Sequence, residues 1–143
     1  LTDARVRTAE TPEDIQRCFP VMLQLRPQLT ADSFLEAVFL QIKEGYRLAY
    51  VESGGKVSAV AGFRVQHMLH RGKCVYVDDL VTDSAARSKG HGALLLDWLV
   101  QFAREQGCDR LDLDSGVQRF DAHRFYFRQR MHISAYHFHI DLK

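Results

Sequence analysis

Residues 77–98 read VDDLVTDSAARSKGHGALLLDW, and the change of residue types along this run decides how the chain folds. Its first part ends a β-rich stretch, residues 74–82, apolar enough for a central strand. Its last part opens a helix over residues 92–106, with Leu95, Trp98, Leu99, Phe102 and Ala103 on one face and Gly107 just past the end. Between them lies Arg87-Ser88-Lys89-Gly90-His91-Gly92-Ala93, where glycines and bases meet at a helix start. Glycine lets backbone N–H groups approach a ligand closely, and the positive helix end favours an anion by ~0.3–1 kcal/mol. Arg87 and Lys89 add counter-charge. The bland alternative is a strand-to-helix turn with solvated basic neighbours.

The elements on either side follow from the same kind of reading. Residues 4–9 read as a strand. Thr11-Pro12-Glu13-Asp14 is a helix start, with a capping Thr, Pro at the first helical position and acids in the first turn, and the helix should run to about Leu25. A second helix begins after Thr30 and carries Phe34, Ala37, Val38 and Ile42 at helical spacing up to Gly45. Residues 46–52 and 57–67 form a hairpin about the turn at 53–56, and a turn at 70–73 leads into the strand at 74–82, giving a three-stranded meander. Residues 111–114 are a short strand, 120–129 a helix, and 132–142 a closing strand by alternation.

Two nucleotide-binding readings of the loop fail on detail. Gly90-x-Gly92 before a helix opens a dinucleotide fingerprint, but the third glycine position is Leu95 and no parallel strand-helix-strand unit opens the chain. The Gly-Lys-Ser/Thr ending of a triphosphate P-loop is also missing. Instead, Arg87-x-x-Gly90-x-Gly92 resembles the Arg/Gln-x-x-Gly-x-Gly/Ala pyrophosphate signature of the GNAT family of N-acetyltransferases. The resemblance spans nearly the whole chain in element order and is most specific over residues 77–98. It implies a mixed α/β fold: a central sheet with an antiparallel meander, a splayed parallel pair of fourth and fifth strands, and helices on both faces. It implies acetyl-CoA as co-substrate, with Leu80, Val81 and Thr82 offering backbone hydrogen bonds to the pantetheine arm and Arg87, Ser88, Lys89, Gly90, His91, Gly92 and Ala93 holding the pyrophosphate. Strand edges left open by a splay need hydrogen-bond partners, and an amide-bearing arm supplies them.

In the helix at 120–129, Ala122-His123-Arg124-Phe125-Tyr126 is similar to the family's Ala-x-x-Phe/Tyr-Tyr pattern, whose last tyrosine protonates the departing thiolate. Tyr126 is therefore the candidate general acid, since a phenol of pKa ~10 stays protonated at neutral pH. The chain departs from the family in having Arg119, Arg130 and Met131 where Asn, Gly and Phe are frequent.

Asp78-Asp79 resembles the Glu-Asp pair that polyamine and glucosamine-phosphate acetyltransferases carry at this spacing from the loop. Acids within a sheet need a reason, either catalysis or a pairing with Arg87 or Arg64. Neighbouring strand residues face opposite sides, so one of the two lines the cleft unless a β-bulge re-aims the other. With an amine of pKa ~10.4, only about one molecule in 10³ is nucleophilic at pH 7, so the amine's proton needs an acceptor. Asp78 is assigned as base or water-orienting group and Asp79 as amine contact, with the reverse left open.

The remaining sequence sets bounds. A chain of 143 residues with 46% hydrophobic content suits one domain over residues 1–143. Nineteen bases against eighteen acids argue for neither nucleic acid nor an anionic membrane as partner. Three cysteines without a C-x-x-C pair and no apolar run of membrane-spanning length suit a cytoplasmic protein. His137-x-His139-x-Asp141 falls on the polar side of the last strand, opposite Tyr136, Phe138, Ile140 and Leu142, and reads as a solvated face or dimer contact before a metal site. One closing strand fits where many relatives have two, so a homodimer completing the sheet is expected. The expected activity is acetyl transfer to a small, cationic primary amine by direct attack in a ternary complex. The alternative is an acyl-CoA-binding sensor without transfer.

Overall fold

The computed structural model describes residues 3–143. The chain divides into two compact units, one ending at Asp112 and the other running from Leu113 to Lys143.

In the first unit, β1 (Arg5–Thr8) precedes α1 (Pro12–Leu25) and α2 (Ala31–Ile42). Both helices are capped as their sequences require. Thr11 Oγ1 accepts from Asp14 N at 3.1 Å, and Thr30 and Ser33 form a reciprocal capping box. The meander is β2 (Arg47–Ser53), β3 (Lys56–Met68) and β4 (Gly72–Thr82), followed by a 3₁₀ turn at Ser84–Ala86, α3 (His91–Glu105) and β5 (Arg110–Leu113). The sheet runs in the order β1-β2-β3-β4-β5, antiparallel through β4. Asp109 N donates to Lys73 O at 2.7 Å, so β5 begins where β4 begins and the two run parallel.

Alternation along the strands divides the core between two faces. Leu48, Tyr50 and Val60 pack with Ile15, Cys18, Met22, Phe34 and Val38 of α1 and α2. On the opposite face Phe63 meets the α3 rings of Trp98 and Phe102 edge-on, with centroids 5.9 and 5.3 Å away. Leu95 and Leu99 of α3 are fully buried, each worth ~1.5–3 kcal/mol. No helix among the described residues is long and apolar enough to cross a membrane.

In the second unit, α4 (Phe120–Arg128) is stopped by Arg130, which takes a left-handed φ of +65°. Beyond it the structure departs from the sequence reading. Residues 132–143 form no strand among the described residues. Tyr136, Phe138, Ile140 and Leu142 are 83–90% exposed. Alternating apolar residues define the faces a strand would have, but a strand exists only where a neighbouring edge takes its N–H and C=O groups.

Candidate active site

The two acids of β4 owe their placement to an irregularity in the sheet. Gly62 of β3 lies opposite Asp79 while Phe63 lies opposite Val77, so Asp78 is an extra residue on β4, a β-bulge. Strict alternation would send Asp78 and Asp79 to opposite faces. With the bulge, both carboxylates reach the face covered by α1 and α2. Asp79 accepts from Tyr46 Oη at 2.7 Å and from Arg26 Nε at 3.0 Å. Asp78 accepts from Arg64 Nε at 3.1 Å and Nη2 at 2.7 Å. Arg64 also donates to Gln41 Oε1 at 3.1 Å and lies over the Tyr46 ring, 5.5 Å from its centroid. Arg26 ties the pair together by donating to the Asp78 carbonyl at 3.0 Å.

This is a compact, charge-balanced cluster of two carboxylates and two guanidiniums. Burial, reinforced by the Asp79 charge, pushes the Tyr46 phenol well above its ordinary pKa, so it is a hydrogen-bond donor. The hydrogen bond to Asp78 raises the Arg64 guanidinium further. Gly62 lies against the cluster: a Cβ there would stand 1.8 Å from Tyr46 Oη and 2.6 Å from Asp79 Oδ2.

Leu80, Val81 and Thr82 continue β4, paired on one side with Ala61, Val60 and Ala59 of β3. On the other side β5 has four residues against eleven in β4, and its start is pinned beside Lys73, where Lys73 N also donates to Asp109 Oδ2 at 3.0 Å. β5 is thus too short to accompany β4 to Thr82, and among the described residues no strand pairs with residues 80–82 on that side.

The loop after β4 is organised from α1. Gln24 Nε2 donates to Asp83 Oδ1 at 2.9 Å, and Ser84 N donates to Gln24 Oε1 at 2.9 Å. The Gln24 amide, followed by the Ala85 N–H at 3.2 Å, holds the Asp83 carboxyl below its ordinary pKa. Arg87, Ser88, Lys89 and Gly90 are exposed. Ser88 and Gly90 both have left-handed φ, +69° and +81°. Gly90 caps α3 with no side-chain hydrogen bond, and the first intrahelical bond runs from Leu94 N to Gly90 O. The N–H groups of His91, Gly92 and Ala93 are therefore left for an external acceptor. His91 is buried at this turn, its Nδ1 unpartnered among the described residues. An uncapped helix start beside two exposed bases fits a pyrophosphate, and the half-buried end of β4 fits an amide-bearing arm.

Tyr126 lies in the second unit, on α4. Burial raises its phenol above the ordinary value, opposed by the nearby Arg119 charge, so it holds its proton at neutral pH. Its ring lies 5.5 Å from that of Phe125, and its carbonyl accepts from Met131 N at 3.0 Å.

Sequence reasoning singled out Asp78, Asp79 and the loop but missed Tyr46, Arg26, Gln41, Gln24 and Gly62. Gly62 carried a signal, because glycine inside a strand marks a bulge or a close approach. The others are joined to the acids or the loop by tertiary contacts across long stretches of chain.

Comparison with known proteins gives the family and the fold. Residues 9–132 match the model of the acetyltransferase (GNAT) family. The uncharacterized N-acetyltransferase YhdJ of Bacillus subtilis is 36% identical over 80% of this chain and 81% of its own length. The aminoalkylphosphonate N-acetyltransferase of Salmonella typhimurium is 29% identical over 90% of this chain and 85% of its own. Among solved structures, the aminoglycoside N-acetyltransferase AAC(6')-Iy in complex with CoA superposes with a TM-score of 0.85, covering 100% of this chain and 97% of that one at 11% identity.

Proposed function

Since the chain belongs to the acetyltransferase (GNAT) family and is an acetyl-CoA-dependent N-acetyltransferase, we propose that it acetylates a small primary amine by direct attack in a ternary complex. The observation that carries this reading is the β-bulge that brings Asp78 and Asp79 to one face. Acetyl-CoA supplies an activated acetyl group and a thiolate leaving group. The N–H groups of His91, Gly92 and Ala93, with Arg87, Ser88 and Lys89, hold its pyrophosphate, and Leu80, Val81 and Thr82 bond its pantetheine arm.

Asp79 binds the incoming ammonium, and Asp78 takes its proton directly or through a water. Each carboxylate oxygen has two acceptor sites, so the bonds from Arg64, Arg26 and Tyr46 leave room for an amine. The nitrogen lone pair forms the new C–N bond as the C–S bond breaks, and the Tyr126 hydroxyl gives its proton to the sulfur. No covalent enzyme intermediate is needed.

The charge balance of the cluster favours a second shape of acceptor. With Arg26 and Arg64 beside the acids, an amine that also carries an anionic group finds a counter-charge for each end. A relative named for aminoalkylphosphonate and another named for glucosamine 6-phosphate support that reading over a purely cationic acceptor.

Initial-rate kinetics test the mechanism. Lines that converge when acetyl-CoA and amine are varied together are expected, whereas parallel lines would require an acetylated enzyme.

A further inference from the structure

Two guanidiniums serve the two acids of β4, and they are held in different ways. Arg64 binds Asp78 through both Nε and Nη2, donates to Gln41 and lies over the Tyr46 ring, and its side chain is 16% exposed. A guanidinium bonded twice and stacked is a fixture of the site. Arg26 meets Asp79 at one oxygen only. Its Nε donates to Oδ1 at 3.0 Å, and its Nη2, which donates to the Asp78 carbonyl, lies 2.9 Å from the same Oδ1. The Arg26 side chain is 38% exposed, and an ion pair that open to water is weakly held. Its backbone is anchored: N donates to Met22 O at 2.9 Å, O accepts from Leu29 N at 3.1 Å, and Pro27 follows. Freedom to move is thus confined to the side chain.

The two oxygens of Asp79 differ as well. Oδ2 accepts from the buried Tyr46, and a Cβ on Gly62 would stand 2.6 Å from it. Oδ1, turned to the half-exposed Arg26, is the oxygen that an incoming ammonium can reach. Ammonium and guanidinium therefore compete for one acceptor.

We propose that Arg26 is a specificity-determining residue: it holds the ammonium position on Asp79 until the acceptor's amine takes it, and then pairs with an anionic group on the same acceptor. The proposal rests on the reading of Asp79 as the amine contact. A purely cationic amine would leave the displaced guanidinium without a partner and beside a like charge. An acceptor that also carries a phosphonate or phosphate returns a partner to Arg26, so the exchange costs little. Arg64, fixed on Asp78, takes no part in the exchange.

Nuclear magnetic resonance of the full chain, with arginine labelled in heavy nitrogen and the protein saturated with CoA, tests the displacement without turnover. The Arg26 Nε–H signal is identified by its loss in Arg26→Lys. Titration with propylamine or aminoethylphosphonate should shift that signal saturably and leave the Arg64 Nε–H in place. Kinetics test the selectivity. In Arg26→Ala the KM for propylamine should fall and that for aminoethylphosphonate should rise, changing their ratio by about tenfold, the scale of one charged contact near the surface. An Arg26 signal that stays still, or KM values that move together in the variant, would overturn the proposal, the latter marking Arg26 as a merely structural residue. Thiol release from acetyl-CoA without movement of Arg26 would overturn this proposal and leave the amine reaction standing. Movement of Arg26 without thiol release would uphold the displacement and remove the reaction. The resonance arm uses the wild type and decides the matter even if Arg26→Ala fails to fold.

Discussion

Tyr46 donates its hydroxyl hydrogen to Asp79 Oδ2 over 2.7 Å, and this hydrogen bond fills the space that a side chain on Gly62 would need. Tyr46 is buried, joins the core shared with α1 and α2, and also has Arg64 over its ring. It cannot swing aside without loosening both Asp79 and its own packing. Gly62→Ala should therefore cost about 1–3 kcal/mol, the usual scale for overpacking, and lower turnover through the displaced acid. Thermal melting and steady-state rates check this. Unchanged stability and rate would mean that Gly62 is an ordinary strand position.

The Gln24 clamp on the loop after β4 gives a pH prediction. Asp83 is held below its ordinary pKa by Gln24 and the Ala85 N–H, so the folded state binds its proton less readily than the unfolded chain. Its contribution to stability is thus fully present above the unfolded value and lost as pH falls from the ordinary carboxylate range through the lowered folded one. Across that window the wild type should lose more stability than Asp83→Asn. Gln24→Ala should weaken acetyl-CoA binding severalfold by calorimetry at neutral pH, and equal affinity would separate the clamp from the binding loop.

Arg130 ends α4 at a φ of +65°, where a side chain is strained and glycine is not. An L-residue held there costs ~1–2 kcal/mol, from which the greater unfolded-state freedom of glycine subtracts part. Arg130→Gly should stabilise the protein by about 0.5–1 kcal/mol. A fall in melting temperature would show that the Arg130 side chain makes a compensating contact.

Tyr126→Phe keeps the ring and removes one hydroxyl. If that hydroxyl protonates the leaving thiolate, turnover falls while stability and acetyl-CoA affinity hold. General acids contribute ~10²–10⁴-fold, and a thiolate is already a fair leaving group, so a loss near the low end is expected. More than half of wild-type turnover in the variant would make Tyr126 a packing residue.

The helices and most strands were legible because their signals are local. Thr11 and Thr30 cap the helices they precede, and Gly90 opens α3 with a left-handed φ. The loop was legible for the same reason. What surrounds Asp78 and Asp79 was not, because Tyr46 and Arg26 come from 33 and 53 residues away, and no periodicity encodes that meeting. The bulge that lets two neighbouring acids share a face is one extra residue in a register, invisible to a reading by alternation. Residues 132–142 fail for the opposite reason: their alternation is clear, but the strand it describes needs an edge that the sequence does not specify.

The most direct test of acetyl transfer to a small amine is the release of free thiol from acetyl-CoA by the wild-type protein across a panel of small amines. The panel should include purely cationic amines and amines that also bear a phosphonate or phosphate, with mass spectrometry of each product. The account predicts thiol release that saturates with amine concentration and yields an amine heavier by one acetyl group, with the anion-bearing amines preferred. Tight acetyl-CoA binding with no amine-dependent thiol release anywhere in the panel would contradict it.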